Sequence, residues 1–566
     1  MPEISRKNKD ILRFAGLLVV VIAVNWLASS VVSRWDLTSD NRYTLADITR
    51  EFLSDIDEPV FAHVYLSGDL NVGFERLSRA TREKLEEFGI YAGNDLDYRF
   101  VDPTGNDDEA KRAKEKLNEL GLDPVPVFEA EDDGSRKKTM VYPYLIFQHG
   151  DNEIAVDLLK NMQGRSGAEN LNASLEGLEY KLTDALRRLL LDQMQKIAFL
   201  EGHGELGELD VIDITDELSK YYQVDRGNPG NNPGMLEPYE ALIIAGPTER
   251  FSEPEKYSID QYIMNGGRVL WLVDGMEVSM DSLRIQSNTV GVPLDVNLND
   301  QLFRYGFRIN PVLVQDVQSG VVPVNVSAPG ESSQFVPMPW PFRPLLNTNM
   351  RHPVTRNVSV VRGQFVSSVD TVGDDMNTTV TPLLQTSRHS REMQSPVYIN
   401  MAQVREEPRR ENFPQSNIPV AYAAEGEFPS VFQNRSVPPE ISQSGKEKKS
   451  VSDPTRMIVV GDGDIIKNEV KRRDSNNPRI LPLGFEEPTN RTYGNKQFVL
   501  NAVNYLTDDE GWMQLRTRNY QLRLLNRDKI ANEGDFWKMF NLGLPLLFVL
   551  LAGFAVPFIR KQRFGK

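Results

Sequence analysis

The stretch KIAFLEGHGE, residues 196–205, contains the pattern that decides the fold. It begins as a short apolar strand, residues 196–200, and ends in a glycine-rich turn, before a helix predicted through residues 212–222. The same order of strand, turn and helix returns at residues 241–265, starting with a strand at 241–245, and, in part, at 268–273. Alternating strands and helices predict a parallel sheet with helices on both faces. The predicted fold class is therefore α/β, with a doubly wound, flavodoxin-like domain.

The doubly wound pattern comes in two parts. The first covers residues 196–284, and the second, residues 455–530, begins with the strand 457–460 and includes a helix at 496–506. Between them, residues 285–454 are rich in Pro, Ser, Asn and Gln and end in a polar linker at 425–454. We predict a large insertion or a β-rich subdomain there, with short strands.

Residues 36–160 carry a different pattern, in which strands and helices follow the order β-α-β-α-β-β. This order predicts a small thioredoxin-like α/β domain. Because the chain has no cysteine, that domain cannot be a redox one. After it, leucines at helical spacing predict one long amphipathic helix over residues 168–192. A helix packed between domains is favoured there over a coiled-coil dimer seam.

Each end of the chain carries an uncharged apolar stretch. Residues 14–33 lie between two arginines and are long enough to span a membrane as a helix, and residues 539–559 are a second such span. A cleaved signal peptide is the alternative for the first stretch. We expect an uncut anchor, because the apolar run is longer than the about 7–15 residues of a usual signal peptide.

Basic residues in 1–13 and in 560–566 predict that both tails are cytoplasmic, which places the bulk of the chain in a bacterial periplasm. The arginine-rich stretch just before the second span argues against this orientation. Large domains cross membranes largely regardless of their charge, so the prediction stands.

Composition excludes several function classes. A net charge of −16 argues against nucleic-acid binding, which needs a basic face. The absence of cysteine excludes disulfides, thiolate metal sites and a cysteine nucleophile. No GxxxxGK[ST] motif occurs, so the chain has no phosphate-binding loop of an ATPase. Two spans enclose no pathway for a solute, and we predict that the protein works with other subunits.

Two loops follow predicted strands at the edge where open α/β sheets bind ligands. One contains Glu201, His203 and Glu205, and the other contains Asp462 and Asp464. A histidine between carboxylates can act as a base or metal ligand, and paired aspartates can take a divalent cation. The structural alternative is favoured, in which glycines permit tight turns and carboxylates favour the next helix N-terminus. We therefore predict no catalytic residue, metal or cofactor.

The stretch before the second span is a candidate partner interface. Its arginines are suited to pair with acidic loops of a permease or with anionic lipid headgroups. The alternative is a solvated surface without a partner. The residues concerned are Arg516, Arg518, Arg523 and Arg527.

Several stretches, in order along nearly the whole chain, resemble the GldG family of gliding-motility proteins. They are DLTSDNRYTLADIT (36–49), VYLSGDL (64–70), RATREKLEEF (79–88), LNASLEGLEYKL (171–182), FLEGHGEL (199–206), LNDQLFRYGFRIN (298–310), VVGDGDIIKN (459–468) and RTRNYQLRLLNRDKI (516–530). This family is the auxiliary membrane component of an ABC transporter in Bacteroidetes-type bacteria.

The resemblance implies an amidotransferase-like fold for the doubly wound domain, without the cysteine nucleophile of those enzymes. It also implies a permease and a cytoplasmic ATPase as partners, and a role in gliding and surface-protein secretion. The expected function is a non-catalytic auxiliary subunit in the inner membrane. The alternative from another class is a membrane-anchored periplasmic hydrolase or ligand-sensing receptor that uses the two loops.

Overall fold

The computed structural model describes ten main stretches of the body and the helical parts of both tails. The described residues are 14–23, 44–130, 136–160, 166–191, 193–278, 280–327, 332–373, 377–406, 408–441, 447–471, 478–517 and 527–564. Residues Thr44–Arg518 form one compact unit, called the body below, and the two tails form another.

The tails contain one helix each. Helix α1 is Phe14–Ala23, so it covers the first part of the predicted span 14–33, whose remaining residues lie outside the described ones. The last helix, α12, is Arg527–Phe564. Within it, the 27 residues Glu533–Ile559 are long and apolar enough to cross a membrane, and they include the predicted span 539–559.

The first part of the body is built on a four-stranded sheet of order β2-β1-β5-β6. Strand β1 is parallel to β2 and antiparallel to β5. A separate hairpin, β3 with β4, was not predicted, because its proline and consecutive basic residues hide any apolar alternation. The elements are α2 (Asp47–Ser54), β1 (Val60–Val64), α3 (Val72–Ala92), β2 (Leu96–Phe100), α4 (Asp108–Glu119), β3 (Val125–Ala130), β4 (Arg136–Val141), β5 (Tyr144–His149) and β6 (Asn152–Asp157).

The single helix predicted over residues 168–192 is two helices. Helix α5 is Gly167–Glu176 and α6 is Leu178–Leu189, with Gly177 between them. Glycine lowers the cost of leaving the helical conformation, which explains a break at this position. The buried leucines of α6 belong to the same apolar core as β1 and β5, so α6 packs on the four-stranded sheet.

Five parallel strands form the centre of a ten-stranded sheet, in the order β8-β7-β9-β10-β23. Helices α7 and α11 share an apolar core with one face of these strands, and α8 shares one with the other. These elements are β7 (Lys196–Leu200), α7 (Glu208–Ser219), β8 (Gln223–Gly227), β9 (Ala241–Ala245), α8 (Glu253–Met264), β10 (Arg268–Leu272), β23 (Thr455–Val460) and α11 (Asn495–Leu506). The chain is thus mixed α/β, while the finer thioredoxin-like and amidotransferase-like assignments stay predictions.

The segment predicted as a large insertion or a β-rich subdomain, residues 285–454, is rich in strands. Three of them, β16, β19 and β22, continue the central sheet beyond β23, with antiparallel neighbours. The segment therefore extends the central sheet as well as forming small sheets of its own. Its elements, with those that flank it, are β11 (Met276–Glu277), α9 (Met280–Gln286), β12 (Asn288–Pro293), α10 (Asn299–Arg304), β13 (Phe307–Ile309), β14 (Val312–Asp316), β15 (Ser319–Asn325), β16 (Phe335–Thr348), β17 (Val361–Arg362), β18 (Val369–Thr371), β19 (Thr378–Gln385), β20 (Ser390–Gln394), β21 (Val397–Asn400) and β22 (Pro419–Gly426).

The described part of the predicted linker 425–454 is packed against the body. Phe428 and Phe432 are buried, and the Ser430 hydroxyl donates a hydrogen bond of 2.7 Å to Asp260 on α8. The remaining short strands follow β23 and are β24 (Val470–Lys471), β25 (Arg479–Ile480), β26 (Phe485–Glu486) and β27 (Arg491–Thr492).

Candidate functional site

The first candidate loop follows β7 and is held by backbone hydrogen bonds from the segment after β9. The amides of Thr248 and Glu249 both donate to the carbonyl of His203 at 2.8 Å. Gly204 has a φ of +70°, and a β-carbon there would lie 2.1 Å from the Thr248 hydroxyl oxygen. A side chain at this position would therefore displace the neighbouring loop.

The imidazole of His203 lies between two carboxylates and is 2% exposed. Its Nδ1 is 3.0 Å from Glu205 Oε1, and its Nε2 is 3.1 Å from Glu255 Oε1. The ring also stacks on Phe251, with centroids 3.6 Å apart. Burial lowers the pKa of His203, but hydrogen bonds to the two carboxylates outweigh burial and raise the pKa above its ordinary value.

This geometry makes His203 a cationic link between the loop and α8. Both ring nitrogens face a carboxylate, so neither is directed at an open site where it could take a proton from a substrate. Glu255 also accepts from the Ser252 amide at the N-terminus of α8, which fixes its position. Glu201, the other residue predicted here, instead pairs with Arg226 at 2.7 Å.

The second candidate loop follows β23 and surrounds a buried carboxylate. Asp462 is fully buried and accepts from the amides of Asp464 at 2.8 Å and Gln364 at 2.9 Å. Asp464 accepts from the Gln364 side chain at 2.7 Å. Asp274, which directly follows the strand region of β10, accepts from the Gly463 amide at 2.8 Å. The structure therefore adds Asp274 and Gln364 to the two predicted aspartates.

Three carboxyl groups this close do not all ionise at neutral pH. Burial, together with the charge of Asp464, raises the pKa of Asp274 to about 7. Burial and the charges of Asp274 and Asp464 raise the pKa of Asp462 well above its ordinary value. The group is thus a set of hydrogen-bonded acids that ties β10, β23 and the Gln364 segment together.

The two loops lie at the same edge of the sheet, where the parallel strands end. Beside the second loop, the space is filled by the backbone that follows β9. A β-carbon on Gly463 would lie 2.7 Å from the Gly246 Cα, just after β9. Leu206, from the first loop, donates its amide to the Ala245 carbonyl at 3.0 Å. Among the residues that the structure describes, no group of three or more His, Cys, Asp or Glu has a geometry that could hold a metal ion.

The predicted arginine interface is only partly within the described residues. Arg516 is 8% exposed, donates to the Arg356 carbonyl at 3.0 Å and lies over the Tyr180 ring. The Arg516 side chain therefore lies inside the body, which argues against its assignment to a docking surface. Arg518 and Arg523 lie outside the described residues, and Arg527 begins α12.

Comparison with known proteins decides the family. Residues 194–502, more than half of the chain, match the family described as ABC-type uncharacterized transport system. The chain belongs to this family. Its members are auxiliary components, so the chain has an accessory role in an ABC-type transport system. The family membership and the apolar helix Glu533–Ile559 together indicate association with a membrane.

Residues 39–148 match a domain of unknown function, DUF7088. No curated protein matches the sequence. Among solved structures, the mmIFT52 N-terminal domain is similar at 14% identity with a TM-score of 0.31, over 56% of this chain and 99% of that one.

Replacing His203 with Gln should destabilise the protein in a pH-dependent way. The raised pKa means that the charged ring stabilises the fold fully below the unfolded pKa, about 6.5, and that this contribution is lost as pH rises through the folded pKa. We expect a loss of about 2 kcal/mol in the free energy of unfolding at pH 6 and a smaller loss at pH 9. Urea unfolding at the two pH values measures it.

The control is H149Q, which removes a more exposed histidine paired with Glu58 at 2.6 Å. It should cost less, because exposed ion pairs contribute little. Equal losses for H203Q at both pH values would show that His203 is not a charged link.

Replacing Asp274 with Asn should stabilise the protein above neutral pH. The amide oxygen can still accept from the Gly463 amide, but the charge next to Asp464 is removed. Because the folded pKa is raised, the wild-type contribution is full below about pH 4 and is lost as pH rises through about 7. We expect the gain to be larger at pH 8 than at pH 5, by on the order of 2 kcal/mol.

The measurement is thermal or urea unfolding at pH 5 and pH 8. The surface variant D295N, which loses a pair with Arg250, should gain nothing at pH 8. A D274N protein less stable than wild type at pH 8 would contradict the assigned protonation of the cluster.

Proposed function

We propose that this protein is a non-catalytic auxiliary subunit of an ABC transporter in the bacterial inner membrane. The observation that carries the proposal is the family match over residues 194–502, followed in the chain by the apolar helix Glu533–Ile559. An α/β body attached to a membrane helix suits a subunit that holds or positions other components. The internal hydrogen bonding of both candidate loops supports this reading over a hydrolase or a ligand-sensing receptor.

The proposed orientation puts the body in the periplasm and both tails in the cytoplasm. It rests on basic residues before the first apolar stretch and after the second. The proposed partners are a multispan permease and a cytoplasmic ATPase, because the chain itself has no phosphate-binding loop. Gliding motility and surface-protein secretion are the proposed processes, on the strength of the sequence resemblance.

The proposed interface with the partner subunits or lipid consists of Arg518, Arg523 and Arg527. They precede Glu533–Ile559 in the chain, where basic residues can pair with acidic permease loops or with anionic lipid headgroups. Each charge near such a lipid surface contributes about 1 kcal/mol.

The orientation can be tested by single-cysteine labelling, because the native chain has no cysteine to give background. K111C lies on the exposed face of α4, and K566C is the last residue. We expect a membrane-impermeant maleimide to label K111C in intact spheroplasts and K566C only after lysis. Labelling of K566C in intact spheroplasts would overturn the proposed position of the C-terminal tail.

The partner proposal can be tested by co-purification in mild detergent. The wild-type protein should bring down a permease and an ATPase, and the triple variant R518E/R523E/R527E should recover them at several-fold lower yield. The matched control reverses the same charge at three exposed arginines of the body, R76E/R79E/R112E, and should leave the yield unchanged.

Two results would refute the auxiliary-subunit proposal together. They are a wild-type protein that purifies without partners and a gene deletion that leaves gliding and surface secretion intact.

A further inference from the structure

A cavity of about 610 Å³ lies within the body, between its first part and the central sheet. Its wall is formed by β6, α6, α11, the residues after β27 and a segment around residue 358. This volume is in the range of small-molecule sites, about 300–1,000 Å³, and is far larger than a single water or ion needs. Neither candidate loop lines it.

Three cationic side chains line this cavity without a matching carboxylate. They come from separate segments and are Lys160, Lys181 and Arg516. Among the described residues, none of their side-chain nitrogens has a carboxylate oxygen within the 4.0 Å of an ion pair. The Lys181 ammonium donates to the carbonyl of Asp157, and Arg516 donates to the carbonyl of Arg356.

The Lys160 ammonium is the most isolated of the three. The Lys160 backbone amide donates to the Ser174 hydroxyl, but within the described part of the chain no oxygen accepts a hydrogen bond from the ammonium, which lies beside Gly177, between α5 and α6. Burial, and then the charges of Arg516 and Lys181, lower the pKa of Lys160 well below its ordinary value. A cation placed among cations has an electrostatic cost, and a bound anion lowers that cost by favouring the protonated ammonium.

The other charges around the cavity are already paired. Arg188 binds Asp184 with its Nη2 2.9 Å from Oδ2, and Glu217 pairs with Lys220 at 3.0 Å. Among the lining carboxylates, only Asp157 is then left to offset the charges of the three cations. With Lys160 protonated, these side chains leave an unbalanced positive charge that faces the cavity.

We propose that this cavity is a binding site for a small organic phosphate. A phosphate monoester carries about two negative charges near neutral pH, opposite in sign to the unbalanced charge of the cavity. Its three oxygens accept from ammonium and guanidinium groups, the latter with a planar fork suited to phosphate. The cavity also offers amide and hydroxyl groups, from Asn357, Ser359 and Gln497, and the Tyr180 and Tyr221 rings for the organic part.

The test compares Lys160→Met with wild type, as full-length protein in detergent. Inorganic pyrophosphate is the probe, and its binding is measured by calorimetry and by the shift in melting temperature. We expect wild type to bind and to gain several degrees, and K160M to lose at least tenfold in affinity. Without pyrophosphate, K160M should melt at a higher temperature than wild type, because it removes an uncompensated charge.

Two further variants separate folding from binding. K160Q removes the charge but keeps a donor, and should behave as K160M does. K111M removes an exposed lysine paired with Asp108 and should match wild type in both readouts.

Three results would overturn the proposal: no pyrophosphate binding by wild type, tighter binding of citrate than of pyrophosphate, or a K160M protein that melts lower than wild type without ligand. The last result would mean that Lys160 is a structural cation. None of these readouts depends on the transporter partners, so the site can fail independently of the proposed function.

Discussion

The burial of the parallel strands on both faces is the constraint on which the rest of the body depends. All five residues of β9 are buried, with β7 and β10 as its parallel neighbours. Such a strand cannot carry a charged side chain along its length, because neither face meets water. Polar groups therefore first occur beyond the last strand residues, at one edge of the sheet. Both candidate loops lie there for this reason.

At that edge the polar groups bond to one another. The His203 ring has a carboxylate at each nitrogen, and Asp462 accepts from two backbone amides. Backbone of Gly246 and Gly463 meets where an open α/β sheet commonly has a ligand crevice. The same residue types that serve chemistry in enzymes here join neighbouring strand ends, which fits an accessory subunit.

The sequence predicted the central strands closely, since apolar runs bounded by glycine and charged residues identify buried strands locally. Strands β7 and β9 begin and end at the predicted residues. The edge strand β8 was missed, since QVDRG has no apolar run.

Local sequence patterns could not predict which distant strands pair with one another. The strands β16, β19 and β22 join the central sheet from a segment predicted as an insertion or a separate β-rich subdomain. Glu255 and Asp274 complete the two loops from distant positions, so no spacing in the sequence could connect them with His203 and Asp462. Asp274 could have been found from the sequence, because an Asp-Gly pair follows β10 and another Asp-Gly pair follows β23.

The lysines of this protein differ in how their charge is balanced, and the difference supports the proposed role of the cavity. Lys256 has no exposed side-chain surface, yet it lies 3.0 Å from Glu253 and 2.8 Å from Asp300. Its charge is balanced within the chain, as buried charges must be for a stable fold. Lys160, Lys181 and Arg516 lack such partners among the described residues and face a space large enough for a ligand. The fold thus balances one buried lysine fully and leaves a net positive charge around the cavity, and an anion that binds there would stabilise the folded state.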